Sequence, residues 1–558
     1  MEKKWIMQKS LEKEKCLSIS QKWGISPLMV QLLYNRGIKE EINKFLYPSL
    51  EDLYSPFLMK GMKEATERIL KAISMRKKIL IYGDYDVDGI TCTTLLLLFL
   101  SKIGASAYFY IPEREKEGYG LNKRAIDKAV QKGIDLIITC DCGISSFEEV
   151  EYAKTQGLEV IITDHHCVGD IIPSCVVIDP EQPDCTYPFK KLAGVGVAFK
   201  LIQGLSEKFS YKKTDVTKYL DLVAIGTIAD IVPLKDENRT LVKLGLECLK
   251  ETDNIGLKAL INVSGLSEKK IGEEEIGFIL APRINACGRL SLAQKGVQLF
   301  LSTSSGDAYK LAHQLNKENI HRQKIQKRIC QEAEEILPEE KDLVIVLSKK
   351  GWHPGVIGLA ASSIKNKYFR PTLIFSLDGE TARGSARSIP DFSIFDALRE
   401  CEDLLISFGG HKMAAGMEIP IENIDKLKER LNNIARKELS SVDLIPSFFI
   451  DTEVSLEELE EKIFEELALF SPYGSENSAP LFLAKDLSVS SYQEMKKNSV
   501  KVSLCSPEGK KFEGVGFNIR NKEMKNLKRA DVIFTPEISY WGGRKFYQLN
   551  IKDYRGGK

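Results

Sequence analysis

The stretch Gly83-Asp84-Tyr85-Asp86-Val87-Asp88-Gly89 carries three carboxylates at alternate positions, directly after the apolar run Ile79-Leu80-Ile81-Tyr82. Read as extended backbone, alternate side chains share one face, so Asp84, Asp86 and Asp88 converge. Carboxylates held that close repel one another unless a cation bridges them. The chemistry on offer is divalent-metal binding, with a solvated acidic turn as the plain alternative. A calcium loop of the EF-hand kind also begins D-x-D-x-D-G, but its twelfth position must be a bidentate Glu. Here that position is Leu95. Such a loop also follows a helix, whereas this motif follows a strand-like run.

Other apolar runs end in the same kinds of side chain. Ile134 to Thr139 leads to Asp141 and Gly143, and Val160 to Thr163 leads to Asp164-His165-His166. Cys175 to Ile178 leads to Asp179, and a helical run from about Val216 leads to Gly226-Thr227-Ile228-Ala229-Asp230. One strand-terminal Asp is ordinarily a turn or helix cap. Several of them beside a His-His pair, in a chain with only six histidines, point to a shared site. In open α/β sheets, ligands bind outside the carboxyl ends of strands. Adjacent residues of a strand face opposite ways, so one of His165 and His166 is expected as a direct co-ligand. The other faces a substrate phosphate if the strand has already ended. Oxygen and imidazole donors without cysteine suit Mn²⁺ or Mg²⁺ better than structural zinc. Two such ions would clamp the oxygens of a phosphoryl displacement.

The second half of the chain offers anion-binding groups. Arg283 and Arg289, in Ala281-Pro-Arg-Ile-Asn-Ala-Cys-Gly-Arg289, can each grip a phosphate bidentately. Trp352-His353-Pro354-Gly355 is expected to turn into a helix. Arg383-Gly384-Ser385-Ala386-Arg387-Ser388 and Phe408-Gly409-Gly410-His411 add glycine-lined backbone and further charge. Together they suggest a phosphate-gripping wall.

These groups must be positioned by a sizeable protein. At 558 residues the chain holds about three or four domains. Alternating strand and helix patterns up to about residue 235 argue for a mostly parallel sheet with helices on both faces. Asp307 to Leu337 reads as a long charged helix between domains, and a second α/β region follows. From about residue 441 short strands dominate. Asp531 to Trp541 and Arg544 to Tyr554 flank Gly542-Gly543 as a hairpin. Tyr540, Trp541, Arg544, Lys545, Phe546 and Tyr547 mix aromatic and basic groups, as single-strand binders do, although core packing explains aromatics equally well. The net charge of +1 gives no overall pull toward nucleic acid or membrane, so a basic groove has to be local. The charged N-terminus lacks a signal-peptide core, and Leu95 to Leu100 is too short to span a bilayer. The 12 cysteines form no C-x-x-C pair and read as reduced thiols. The expectation is a cytoplasmic protein without a membrane partner.

The assembled motifs, G-D-Y-D-V-D-G, D-C-G, D-H-H, G-T-I-A-D-I-V-P-L, A-P-R-I-N-A-x-G-R, W-H-P-G-V-I-G, S-A-R-S and G-G-H-x-x-A-A-G, resemble the DHH phosphoesterases, and among them the bacterial single-strand-specific exonucleases. The resemblance implies two α/β lobes, DHH and DHHA1, joined by a long helix and followed by a small β-rich OB-like domain. Its expected bounds are 1–50 for a helical arm, 51–305 for the DHH domain, 306–340 for the connecting helix, 341–440 for the DHHA1 domain and 441–558 for the OB-like domain. It implies 5′-to-3′ degradation of single-stranded DNA to mononucleotides with Mn²⁺ or Mg²⁺, in recombination, mismatch repair and fork processing. A helicase and a single-strand-binding protein are candidate partners. Two readings stay open beside it: a phosphodiesterase of short oligonucleotides or cyclic dinucleotides, and a non-catalytic DNA-binding scaffold.

By the same resemblance Asp86 and Asp88 separate two ions and Asp141 bridges them, while His165 and Asp230 bind the second. Asp84 is a ligand of the first ion or stands beside one. His166 contacts phosphate or assists catalysis. His353, Ser385, Arg387 and His411, with Arg289, hold the substrate phosphate. Tyr82 stands where pyrophosphatases of the superfamily carry a histidine, which disfavours that activity.

Overall fold

Strands Lys78–Gly83, Leu136–Cys140, Glu159–Thr163 and Val176–Ile178 are apolar nearly throughout, the pattern of parallel strands covered on both faces. With Ser106–Tyr110 they form a five-stranded parallel sheet in a computed structural model that describes residues 3–208, 214–337, 342–441, 443–495, 499–517, 525, 527–541 and 544–556. The strand from residue 78 lies between the strands from 106 and 136, an order of 2-1-3-4-5. The switch point of that order therefore falls between Lys78–Gly83 and Leu136–Cys140, and ligand sites of doubly wound sheets open at its carboxyl edge. Asp84 and Asp141 are the residues that follow these two strands.

The chain divides into two compact units. The first comprises Met1–Lys4, Glu64–Ile178 and Thr252–Pro446. Its parallel sheet packs one face on a cluster that includes Tyr82, Ile126, Ile137, Val150 and Ile162. Helix Val87–Lys102 follows the acidic loop and is buried almost all round, as its leucine run requires. Helix Ser305–Glu335 runs 31 residues; Ser304 caps it by accepting from Asp307 N–H, and Ala308, Ala312, Leu315, Asn319 and Arg322 line its buried stripe.

Beyond this helix the same unit forms a second sheet, ordered Ser407–His411, Ala414–Pro420, Thr381–Arg387, Thr372–Asp378, Ile345–Lys350. Its last pair is parallel and the other pairs are antiparallel. The glycine-rich motifs are strands here. The Gly409-Gly410 pair lies inside a hairpin strand. Arg383 to Arg387 is likewise a strand, so its period of two sets Arg383, Ser385 and Arg387 on one face and buries Ala382, Gly384 and Ala386 on the other.

The second unit comprises Trp5–Lys63, Asp179–Glu251 and Ser447–Lys558. It contains the N-terminal helices, helices Gly194–Lys208, Leu220–Ala229 and Asp236–Lys250, and a closed five-stranded barrel. In the barrel Phe482–Met495, Ser499–Cys505, Lys511–Gly516, Arg544–Gly556 and Arg529–Trp541 pair in turn, and the last returns to the first. Trp541 pairs with Arg544, so the expected hairpin forms; its Gly542-Gly543 turn and the Tyr540 and Trp541 side chains lie outside the described residues. Of the aromatic and basic groups around it, Phe546 is exposed. Tyr547 and Lys545 are engaged by Glu461, and Lys545 also by Glu465 at 3.2 Å. No helix among the described residues is long and apolar enough to cross a membrane.

Three charged side chains tie this unit's segments together. Lys200 and Glu237 are an ion pair without solvent exposure. Glu237 also accepts from the Tyr187 hydroxyl and from Tyr54 N–H, and Lys200 donates to Tyr54 O. Arg239 stacks on Phe45 with its guanidinium 3.8 Å from the ring centroid and donates to Phe45 O and to the carbonyls of Leu469, Phe470 and Ser471. Removing one partner from a buried ion pair strands the other charge. Glu237→Ala should therefore lower the unfolding free energy by about 3–5 kcal/mol, and the apolar double replacement Lys200→Met with Glu237→Leu should recover most of that loss in denaturant titrations.

Candidate active site

The strand from Lys78 ends at Gly83, and the acidic residues occupy the turn into the next helix. This corrects the extended-backbone reading. Asp84 follows the strand, Asp86 caps the helix by accepting from Gly89 N–H (3.1 Å), and Asp88 lies in its first turn. The convergence comes from a tight strand-to-helix turn rather than from alternation. Gly89 makes the turn possible, because a Cβ there would stand 2.5 Å from Asp84 O. Helix Ala281–Leu290 braces the loop from outside. Asn285 Oδ1 accepts from Val87 N–H (3.1 Å), and at Gly288 a Cβ would come within 2.3 Å of Tyr85 O.

Asp141 adopts φ +60°, a strained region for a non-glycine residue, at the end of its own strand. Its N–H donates to Thr163 O (3.0 Å), which fixes it beside the strand that delivers the histidines. That strand ends at Thr163, so the two rings do not diverge as adjacent strand residues would. Their centroids lie 4.4 Å apart, and both face the same carboxylate. His165 Nε2 is 3.1 Å and His166 Nδ1 3.9 Å from Asp141 Oδ1; His165 Nε2 is also 3.9 Å from Asp88 Oδ2. The alternation argument that set one histidine against the other thus fails where the strand stops.

Asp84, Asp88 and Asp141 are 4%, 1% and 3% exposed. Burial first, and then the neighbouring Asp86 charge, push the Asp84 carboxyl well above its ordinary range. Its Oδ1 has no hydrogen-bond donor among the described residues. Within the first unit two sets of potential ligand atoms each lie within 4.8 Å of one another: Asp84, Asp86 and Asp141, and Asp141, His165 and His166. Buried, crowded oxygen and imidazole donors sharing Asp141 fit a pair of hard divalent cations. Asp230 belongs to the second unit, where it closes helix Leu220–Ala229 with its N–H on Gly226 O (2.9 Å). Tyr82 turns into the sheet core and donates its hydroxyl to Gly120 O (2.7 Å).

Several contributors were assigned no individual role by the sequence reading. Asp164, fully buried, accepts from His165 N–H (2.8 Å), His166 N–H (3.3 Å), Ile144 N–H (2.9 Å) and His166 Nδ1 (2.7 Å). Burial alone would raise its pKa, but the hydrogen bond and charge of His166 and the charge of His165 hold it below the usual value. With Nδ1–H given to this carboxylate, His166 presents Nε2 outward. Tyr119 donates its hydroxyl to Asp141 O (3.2 Å) and lies 3.1 Å from His166 Nδ1. Burial and the Asp164 and Asp141 charges raise its pKa far above the usual value, so the phenol keeps its proton. Asp164 was legible as another strand-terminal carboxylate. Tyr119 carried no sequence signal, and Asn285 stood in a quoted motif without a role, since long-range packing decides what both of them touch.

Across from these groups in the first unit, a cleft of about 360 Å³ is lined by Arg114, Arg289, Arg383, Ser385 and Arg387. Arg289 ends its helix with a hydrogen bond to Gly355 O (3.2 Å). Burial, followed by the Arg114 and Arg387 charges, pushes it down to about 10. Burial and Arg114 lower Arg387 as well, which donates to Ser385 Oγ (3.1 Å). Arginines crowded until they depress one another make an anion site. Arg114 was not foreseen. His353 caps helix Pro354–Tyr368, its Nδ1 accepting from Gly355 N–H (3.1 Å), so the neutral ring carries its proton on Nε2. His411 is exposed and not among the cleft-lining residues, although it shares a row of the sheet with Ala414 and Arg387. Arg283 is also outside the lining, with its guanidinium on Asn316 Oδ1 (3.0 Å) and Ile279 O (2.6 Å).

The DHH family N-terminal domain matches residues 78–227, the DHHA1 domain residues 341–437, and the RecJ OB domain residues 450–553. The single-stranded-DNA-specific exonuclease RecJ of Bacillus subtilis is 41% identical over 99% of this chain and 70% of its own length. The RecJ of Escherichia coli is 32% identical over 96% of this chain and 94% of its own. A crystal structure of RecJ in complex with Mn²⁺ from Thermus thermophilus superposes with a TM-score of 0.87 at 28% identity, covering 100% of this chain and 80% of that one. The Mg²⁺ complex of RecJ from the same organism gives 0.81 at 27% identity, covering 100% of this chain and 79% of that one. With all three domains, the full-length identity and a donor set suited to the same ions in agreement, the chain belongs to the RecJ family of single-stranded-DNA-specific exonucleases.

Proposed function

We propose that this enzyme removes mononucleotides from the 5′ end of single-stranded DNA with Mn²⁺ or Mg²⁺ bound. The observation that carries the reading is a buried carboxylate–imidazole cluster around Asp141 in the same unit as an arginine-lined cleft. Asp84, Asp86, Asp88, Asp141, His165 and Asp230 are the proposed metal ligands. When bound, the two ions supply Lewis-acid activation of water and neutralise charge on the transferred phosphate. Asp164 holds the His166 ring by Nδ1–H, so that Nε2 meets the phosphate or the departing oxygen. Arg289 and Arg387, aided by Ser385, His353 and Arg114, take the non-bridging oxygens and fix the strand for attack. Recombination, mismatch repair and fork processing are the proposed settings, in the cytoplasm, with a helicase and a single-strand-binding protein presenting the strand.

A 5′-labelled single strand, an equivalent duplex and a dinucleotide incubated with Mn²⁺ test the reading. Label released as mononucleotide from the single strand is expected, and turnover of the dinucleotide alone would overturn it. Asp141→Ala should reduce cleavage by at least about 10³-fold while gel-shift affinity for the strand stays within a few-fold. Mn²⁺ should raise the melting temperature of the wild-type protein, because a ligand of the folded state stabilises it by mass action, and that rise should vanish in Asp141→Ala. Arg387→Ala should raise KM about tenfold or more, as loss of a charged hydrogen-bond partner does, with a smaller change in kcat by steady-state kinetics.

A further inference from the structure

The segment between strand Ser106–Tyr110 and helix Lys123–Gln131 lies wholly in the first unit and serves both of that unit's functional groups. Arg114 lines the arginine cleft, its guanidinium 5.1 Å from the Tyr85 ring centroid. Five residues on, Tyr119 donates to Asp141 O (3.2 Å). Arg114 opens a single helical turn, Arg114–Glu117, that buries no residue. A turn of four residues does not keep its shape alone in water, and this one packs no apolar face. Something else must hold Arg114 in place.

That hold is the Glu117 carboxylate. Its side chain is 5% exposed, although residues 114 to 116 of the same turn face solvent. Oε1 accepts from the Tyr110 hydroxyl (2.6 Å), Oε2 accepts from Glu113 N–H (2.9 Å), and the Lys128 ammonium stands 3.6 Å away. Lys128 also donates to the Tyr110 hydroxyl (2.7 Å), which closes a ring of three side chains. Burial alone would raise the Glu117 pKa, but the Tyr110 and Glu113 hydrogen bonds and the Lys128 charge hold it below the usual value. The ring rests on a rigid base, because Tyr110 stacks on the buried Tyr82 with centroids 5.7 Å apart.

The far end of the segment has its own anchors. Tyr82 donates its hydroxyl to Gly120 O (2.7 Å) and accepts from Asn122 Nδ2 (2.9 Å). Gly118 and Gly120, at φ +76° and +85°, let the chain turn on either side of Tyr119. Tyr119 thus keeps its place without Glu117, and Arg114 does not. We propose that Glu117 is a positioning residue of the nuclease, tying its helical turn to Tyr110 and Lys128 so that Arg114 stays over the cleft for the substrate phosphate. The inference rests on the proposed nuclease reading, in which Arg114 helps take the non-bridging oxygens. Glu117 itself touches neither substrate nor reacting atoms. An arginine free to swing must be ordered when the strand binds, which weakens binding and leaves the chemistry at Asp141 unaltered.

The test uses full-length wild type, Glu117→Ala, Arg114→Ala and the double variant, with a single strand and Mn²⁺. Glu117→Ala should raise KM about fivefold and Arg114→Ala about tenfold, each with kcat within about twofold of wild type. KM of the double variant should equal that of Arg114→Ala, because both changes remove the same contact. Tyr110→Phe keeps the ring stack but takes one hydrogen bond from the carboxylate. It should raise KM about twofold to threefold, and Arg114→Ala should mask that rise too. Without DNA, trypsin should cut after Arg114 or Lys116 faster in Glu117→Ala than in wild type. A wild-type KM or unchanged trypsin cleavage in Glu117→Ala, a kcat loss as large as the KM rise, or KM effects that multiply in the double variant would each overturn the inference. If Glu117→Ala does not fold, Tyr110→Phe with and without Arg114→Ala decides on the same criteria. Failure of the wild-type protein to degrade any single strand would instead refute the nuclease reading itself.

Discussion

Crowding buried carboxylates at one sheet edge is the constraint to which much of the first unit answers. Asp84, Asp88 and Asp141 sit almost out of water, and their mutual repulsion grows as the local dielectric falls. Nothing in the fold itself rewards that arrangement, so the surroundings must hold it. Gly89 lets the helix press on the backbone of Asp84, and Gly288 and Asn285 brace the loop from a helix two hundred residues away. Asp141 is locked in a strained backbone by its bond to Thr163 O. A bound cation offsets the unfavourable charge, while the strain is held by the surrounding hydrogen bonds.

The arginine-lined cleft is built by the opposite sign and the same logic. After burial, Arg114 depresses both Arg289 and Arg387, and Arg387 depresses Arg289 as well; each is steadied by a backbone carbonyl rather than by a carboxylate. Binding an anion relieves the repulsion without having to break an ion pair first. The second unit's cavity of about 310 Å³ contrasts with this. Three of its four cations are already matched to carboxylates, Arg36 to Asp451, Lys44 to Asp236 and Lys235 to Glu476, and the fourth, Arg239, is held by backbone carbonyls.

Which residue types gather in the first unit's carboxylate–imidazole cluster was legible in the sequence because they follow apolar runs whose lengths betray strands. How they gather was not. Alternation holds only while the strand lasts, and it stops at Gly83 and at Thr163. Past those points a helix cap turns Asp86, and both histidines swing toward Asp141. The Gly409-Gly410 strand had no legible element type for a related reason: glycine signals permissive backbone without saying whether a turn or a close-packed sheet uses it. Arg283, Asn285 and Arg289 share one helix and one motif, yet one anchors the long helix, one braces the acidic loop and one enters the cleft. Sequence spacing could not separate those fates, because they depend on what each face of the helix meets.

The order in which the second unit can be assembled follows from its Arg239. That guanidinium takes one carbonyl from residue 45 and others from residues 469 to 471, segments made at opposite ends of translation. A ribosome that has finished both α/β sheets has therefore not yet supplied the acceptors for a charge that ends up nearly inaccessible to solvent. Until then helix Asp236–Lys250 keeps its underside wet and its apolar neighbours uncovered. The nascent protein thus holds this charge without its full set of acceptors from the emergence of helix Asp236–Lys250 until residues 469 to 471 follow.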